Sequence, residues 1–206
     1  MHHPESSDGR DITRDVRARA VDAPPPLRRS LLTGALGFCV AGLCVFATVA
    51  FAERWMYERL GLYGAYVAWT ALFILLGGGA LGSLAVGRWR LPRFYLLFGL
   101  AFLAYAAGWV GAYFTLRGTA GEWVGALAGC VLMGSVFAFG FGVSRSAPKL
   151  SAVLFVAHTA GYFLGAALNG AVGGLAGMLL WGCIYGLCLG AGLGAVLHLA
   201  QARGAT

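Results

Sequence analysis

Residues 150–202 read LSAVLFVAHTAGYFLGAALNGAVGGLAGMLLWGCIYGLCLGAGLGAVLHLAQA and contain no Asp, Glu, Lys or Arg. A helix needs about 20 apolar residues to cross the roughly 30 Å of hydrocarbon in a bilayer. This run is far longer than a single tilted helix can absorb. Its middle, Asn169-Gly170-Ala171-Val172-Gly173-Gly174, is rich in turn formers. The stretch therefore predicts two crossings, near 150–170 and 175–200, joined by a tight hairpin.

Four further charge-free runs precede it: Ser30–Ala52, Leu60–Gly87, Phe94–Leu116 and Trp123–Ser144. Each is about one crossing long, which brings the expected count to six. Composition points the same way. Charged residues are only 11% of the 206, against about 25% in soluble domains. The 33 glycines sit inside apolar runs with no three-residue period, which excludes collagen and matches membrane helices. The expected fold class is an all-α integral membrane protein, a six-span bundle at residues 30–202. A disordered tail at 1–29 precedes it and a short end at 203–206 follows. The tail mixes both charge signs, ends in Pro24-Pro25-Pro26 and has too little apolar surface to fold alone.

The formal charge of +7 brackets the apolar runs and forms no stripe, so nucleic-acid binding is not expected. The basic residues instead read as topology signals and as contacts to lipid headgroups. Arg28 and Arg29, then Arg88, Arg90 and Arg93, then Arg145 and Lys149, and finally Arg203 fall on one side of the alternation. On the other side Arg54, Arg59 and Arg117 are balanced by Glu53, Glu58 and Glu122. Both termini are therefore expected in the cytoplasm. Ala/Gly/Arg-rich usage suggests a bacterial cytoplasmic (inner) membrane. Tyr57, Tyr63, Trp89, Tyr95 and Trp123 fall near span ends, as interfacial aromatics do. Arg28-Arg29-Ser30-Leu31-Leu32 with Ala50-Phe51-Ala52 also resembles an export signal, but the apolar run exceeds the usual 7–15 residues, so span one is expected to stay.

Lipid tails are as apolar as Leu, so burial from water cannot drive such helices together. Small residues four apart let backbones approach instead. Gly182, Gly186, Gly190 and Gly194 form the longest such row, and Gly121, Gly125 and Gly129 form another. Gly161 with Gly165, and Gly78 with Gly82, complete the set. The five cysteines all lie in apolar runs without a CxxC pair, and are expected to pack as small hydrophobes.

Intramembrane polar residues are candidate sites. Ser151, His158, Tyr162 and Asn169 are spaced seven, four and seven apart, which places them on one broad helix face. Such a stripe is either a substrate path or a set of interhelical hydrogen bonds. His158 and His198 fall at different depths, so paired haem ligation is not expected. The charged segment Ala52–Arg59 reads as an external interfacial turn, with Arg54 and Glu58 placed to pair. No GxSxG, Walker A, HExxH or strand-linked Gly loop occurs, so neither catalysis nor a cofactor or metal is expected.

Glu58-Arg59-Leu60-Gly61, Gly64-Ala65-Tyr66, Phe73, Gly79-Ala80-Leu81-Gly82-Ser83-Leu84 and Gly87-Arg88 together resemble the membrane domain attached to some spermidine-synthase-like proteins. That domain is similar to half of a major facilitator transporter. Gly87-Arg88-Trp89-Arg90 lacks the acidic residue usual in the facilitator loop. The resemblance implies a half-transporter architecture, and carries no polyamine synthesis with it. Two functions follow: a small transporter or channel with a polar path on span five, or a non-catalytic subunit of a larger membrane complex. Partners are expected to be lipid and either a second copy of the chain or other membrane subunits.

Overall fold

The computed structural model describes residues 23–86 and 90–204. Arg88, Trp89, the side chain of Arg90 and the first 22 residues of the tail lie outside them. Every element among the described residues is helical: α1 Leu27–Gly82, α2 Arg90–Leu116, α3 Gly118–Gly140, a short 3-10 turn Ser144–Ser146, α4 Ala147–Val172 and α5 Gly174–Gly204. All five α-helices are long and apolar enough to cross a membrane, with mean hydropathy from 1.5 to 2.3 in their best windows.

Helix α1 is not one rod. As a straight helix its 56 residues would reach roughly 84 Å. Gly61 breaks it with φ 67° and ψ 177°, in the left-handed region that glycine enters without strain. The limbs on either side (27–60 and 62–82) fold back on each other. Phe38 stacks on Phe73 with ring centroids 5.4 Å apart, and Tyr57 meets Trp69 edge-on at 5.9 Å. The charged segment Ala52–Arg59 is thus helix, not the turn its charges suggested. Arg54 Nε donates to Glu58 Oε1 at 2.9 Å, one helical turn on, which holds this segment in register.

Other boundaries also differ from the charge-free runs. The second limb stops at Gly82 rather than 87, and α3 covers 118–140 rather than 123–144. Residues 27–29, assigned to the tail, form the first turn of α1 behind Pro26. Charges mark where hydrocarbon ends, whereas backbone conformation marks where helices end. Gly142 (φ 71°) follows α3, and Gly173 (φ 70°) and Gly174 (φ 57°) turn α4 into α5.

The first limb of α1 lies against α5 along an antiparallel seam with almost nothing between the backbones. A Cβ built on Gly186 would stand 2.6 Å from Cys39 Cα, and one on Gly182 would stand 2.9 Å from Gly42 O. Gly190 faces Gly34 and Gly194 faces Ser30 in the same register. Ser30, Gly34, Phe38 and Gly42 recur every four residues on the first limb, matching the four-residue row on α5. Gly34 and Gly42 are half of this seam and were not singled out from the sequence.

Elsewhere glycine rows seat aromatic rows. A Cβ on Gly121, Gly125 or Gly129 of α3 would meet the backbone of Tyr113, Trp109 or Tyr105 on α2 at 3.0–3.2 Å. On α4, Gly161 takes the backbone of Tyr185 of α5, and Gly165 takes the indole ring of Trp181. Gly78 and Gly82 also accommodate side chains, the Tyr95 ring and Leu91. Large apolar side chains point outward, as with Phe51 and Phe139, each 71% exposed. This is the surface a lipid-facing bundle requires.

At the opposite end from Gly61, Gln201 ties α1 to α5. Its Oε1 accepts from Val86 N–H at 2.9 Å, and its Nε2 donates to Leu84 O and Leu197 O, each at 3.1 Å. His198 donates from Nδ1 to Pro25 O at 2.8 Å and fixes the entry to α1. Gly186→Leu forces two backbones apart. We expect it to destabilise by about 3 kcal/mol or to prevent folding. Gly111→Ala meets nothing within 4 Å and is expected to be neutral or to stabilise by up to about 1 kcal/mol. Thermal unfolding of both variants in one detergent checks the contrast.

Candidate functional site

Where the aromatic rows converge, toward the Gly61 end, the helices line a partly open cavity of about 200 Å³. Both limbs of α1, together with α2, α4 and α5, line it. Nine of the fourteen lining residues are aromatic, so ring faces and edges, not aliphatic chains, make most of its wall. Tyr66 and Trp69 come from the second limb, Tyr105 and Trp109 from α2, Tyr162 from α4 and Tyr185 from α5. No charged residue lines it.

The spacing explains the convergence. Tyr105 and Trp109 stand four apart on α2, as do Trp181 and Tyr185 on α5, so each pair shares a helix face. The glycine rows described above draw those faces inward. Trp109 stacks on Tyr113 at 5.0 Å, and Trp181 packs against Phe46 at 5.4 Å and Tyr162 at 5.5 Å. The floor is Phe73 and Phe102. Below them Phe38 and Phe98 are fully buried and fill the bundle toward the Gln201 end.

Beside the cavity lies a buried polar cluster. His158 is 1% exposed, and its Nδ1 is 3.0 Å from Tyr105 Oη and 3.4 Å from Tyr185 Oη. The two phenols are 2.9 Å apart. Tyr185 donating to Tyr105, and Tyr105 donating to Nδ1, uses the two shortest contacts. That arrangement leaves the imidazole proton on Nε2, which is buried and has no partner among the described residues. The imidazole also stacks on Tyr162 with centroids 5.6 Å apart and planes at 15°. Tyr162 in turn donates to Glu122 Oε1 at 3.2 Å. Because α3 starts at Gly118, Glu122 is a helical residue, although the charge-free reading left it in a loop.

The polar stripe on α4 therefore splits. His158 and Tyr162 meet, and only Tyr162 reaches the cavity. Ser151 faces α3, with Oγ donating to Val131 O at 3.5 Å where Gly134 leaves room. Asn169 sits at the turn, its carbonyl accepting from Gly173 N–H at 2.8 Å. These four residues form no continuous path. Arg28, Arg29, Arg93, Arg145 and Lys149 are exposed at the Gln201 end, away from the cavity. Tyr105, Tyr185, Trp69 and Trp109 went unrecognised in the sequence. The available signal was amphipathic aromatics at i,i+3 and i,i+4 inside spans, where plain apolar residues would suffice.

No protein family, curated protein or solved structure matches this chain.

His158→Phe keeps the ring contacts and removes an unpartnered N–H, so stability is expected to change by less than about 1 kcal/mol. His158→Ala empties the ring volume and is expected to lose about 3 kcal/mol. Unfolding midpoints of the two variants test this. A loss with Phe as large as that with Ala would place the stabilisation in the hydrogen bonds.

Proposed function

We propose that this chain is a small-solute transporter whose substrate site is the aromatic cavity. The observation that carries the reading is that cavity's position. It lies toward the Gly61 end of the bundle, and the Phe38–Phe73–Phe98–Phe102 cluster fills the bundle toward the other end. A site set toward one side of the membrane, with packed rings closing the bundle toward the other, is consistent with one state of an alternating-access cycle. A hole running the whole length, as a channel would need, is not what these side chains build.

In this reading the chain crosses a bacterial inner membrane six times, because the break at Gly61 turns α1 into two crossings. The excess of Arg and Lys at the Gln201 end supports a cytoplasmic position for both termini, which would set the cavity toward the periplasmic side. Six crossings commonly form half of an alternating-access machine, so the working unit is a homodimer.

Native mass spectrometry of protein extracted gently from its own membrane tests the proposal. The expected result is a homo-oligomer that retains a small ligand, together with loss of that ligand in Ala106→Phe, which fills the cavity. A stoichiometric set of other subunits would sink the transporter reading and make the chain a structural component of a complex.

A further inference from the structure

The walls of the cavity also bear on what enters it. A neutral apolar solute needs only an apolar wall, and Leu, Ile and Val supply one. Here nine aromatic rings surround about 200 Å³, somewhat more than the roughly 150 Å³ that holds benzene in an engineered protein cavity. Ring faces carry negative potential and attract cations, most strongly when water is excluded.

The charged side chain bonded to the wall is acidic. Glu122 is half-buried and accepts the hydrogen bond of Tyr162, a wall residue. Glu53 stands one helical turn before Tyr57, whose ring meets the wall residue Trp69 edge-on at 5.9 Å. None of the basic residues at this end lines the cavity. Arg54 is paired with Glu58, and Arg59 and Arg117 are exposed. Carboxylates therefore stand close behind the wall, and the wall itself is mostly aromatic rings with no basic side chain.

We propose that the cavity binds a small organic cation, a quaternary or tertiary ammonium ion with an apolar body. Its charge lies against the faces of Trp69, Trp109, Tyr66 and Tyr105, and Glu122 acts on it through Tyr162. A compact alkylammonium of this kind fits the volume, and its weakly hydrated surface suits a wall of carbon. A metal ion is a poor match, because no group of three or more His, Cys, Asp or Glu gathers there among the described residues. The assignment rests on the transporter reading for its physiological meaning, but binding can be tested separately.

The test uses the full chain in lipid nanodiscs and two probes of equal shape: choline and its neutral carbon analogue 3,3-dimethylbutan-1-ol. Calorimetry and the intrinsic fluorescence of the tryptophans report binding. The expected result is saturable binding of choline, at least about tenfold tighter than the neutral analogue. Glu122→Gln is expected to weaken choline several-fold and leave the analogue unchanged. Trp109→Phe, which keeps a ring face and the fold, is expected to retain part of the preference, whereas Trp109→Leu loses it. Equal affinities for the two probes would overturn the cationic assignment while leaving a neutral-solute site in place. No saturable binding of choline at millimolar concentration would overturn it as well. The transporter reading fails separately, on the subunit composition found by native mass spectrometry.

Discussion

Everything in this bundle depends on how closely the first limb of α1 approaches α5. In hydrocarbon no water is released when two helices meet, so the gain must come from dispersion and from backbone contact at short range. A Cβ at Gly182, Gly186, Gly190 or Gly194 would intrude on the opposing backbone or its Cβ atoms. The seam fixes the position of Phe38, fully buried within it, and Phe38 anchors the aromatic cluster beneath the cavity. His198 fastens the entry to the first limb to α5, and Gln201 fastens the stretch that follows the second limb, each satisfying backbone groups outside the helices.

The cavity is a consequence of the same economy of volume. Two rows of glycine, on α3 and α4, admit the helices that carry Tyr105, Trp109, Trp181 and Tyr185. With the backbones close, large rings meet edge to face around a common space and cannot fill it completely. Rigid planar groups pack with gaps where flexible Leu or Met would close them. The buried His158–Tyr105–Tyr185 cluster braces α2, α4 and α5 where they meet, and so holds the wall in shape.

Much of the architecture was legible in the sequence because hydrocarbon thickness, turn chemistry and glycine spacing are one-dimensional signals. The turn at Gly173–Gly174 falls inside the run that flagged it. The error at Ala52–Arg59 arose because charge was taken to mean loop. Glu and Arg are good helix formers, and only Gly61 adopts a left-handed backbone there. The site was legible only in part. His158 and Tyr162 stood out as polar residues in an apolar run. Their partners Tyr105 and Tyr185 lie on other helices, 53 and 27 residues away from His158 along the chain. Glu122 lies one residue outside a charge-free run and reads as part of the loop charge balance, yet its carboxylate accepts the hydrogen bond of Tyr162.

The outward placement of large side chains and the inward placement of glycine reverse the usual relation between size and constraint. Leu36 is 63% exposed and touches a fluid that accepts any apolar shape, while Gly34, two residues earlier, touches another backbone. Among descendants of this sequence, drift would run freely among Leu, Ile, Val and Phe on the bulky faces. The smallest residues would stay fixed. The record of selection on this fold would therefore be written in its glycines, the residues that have no side chain to lose.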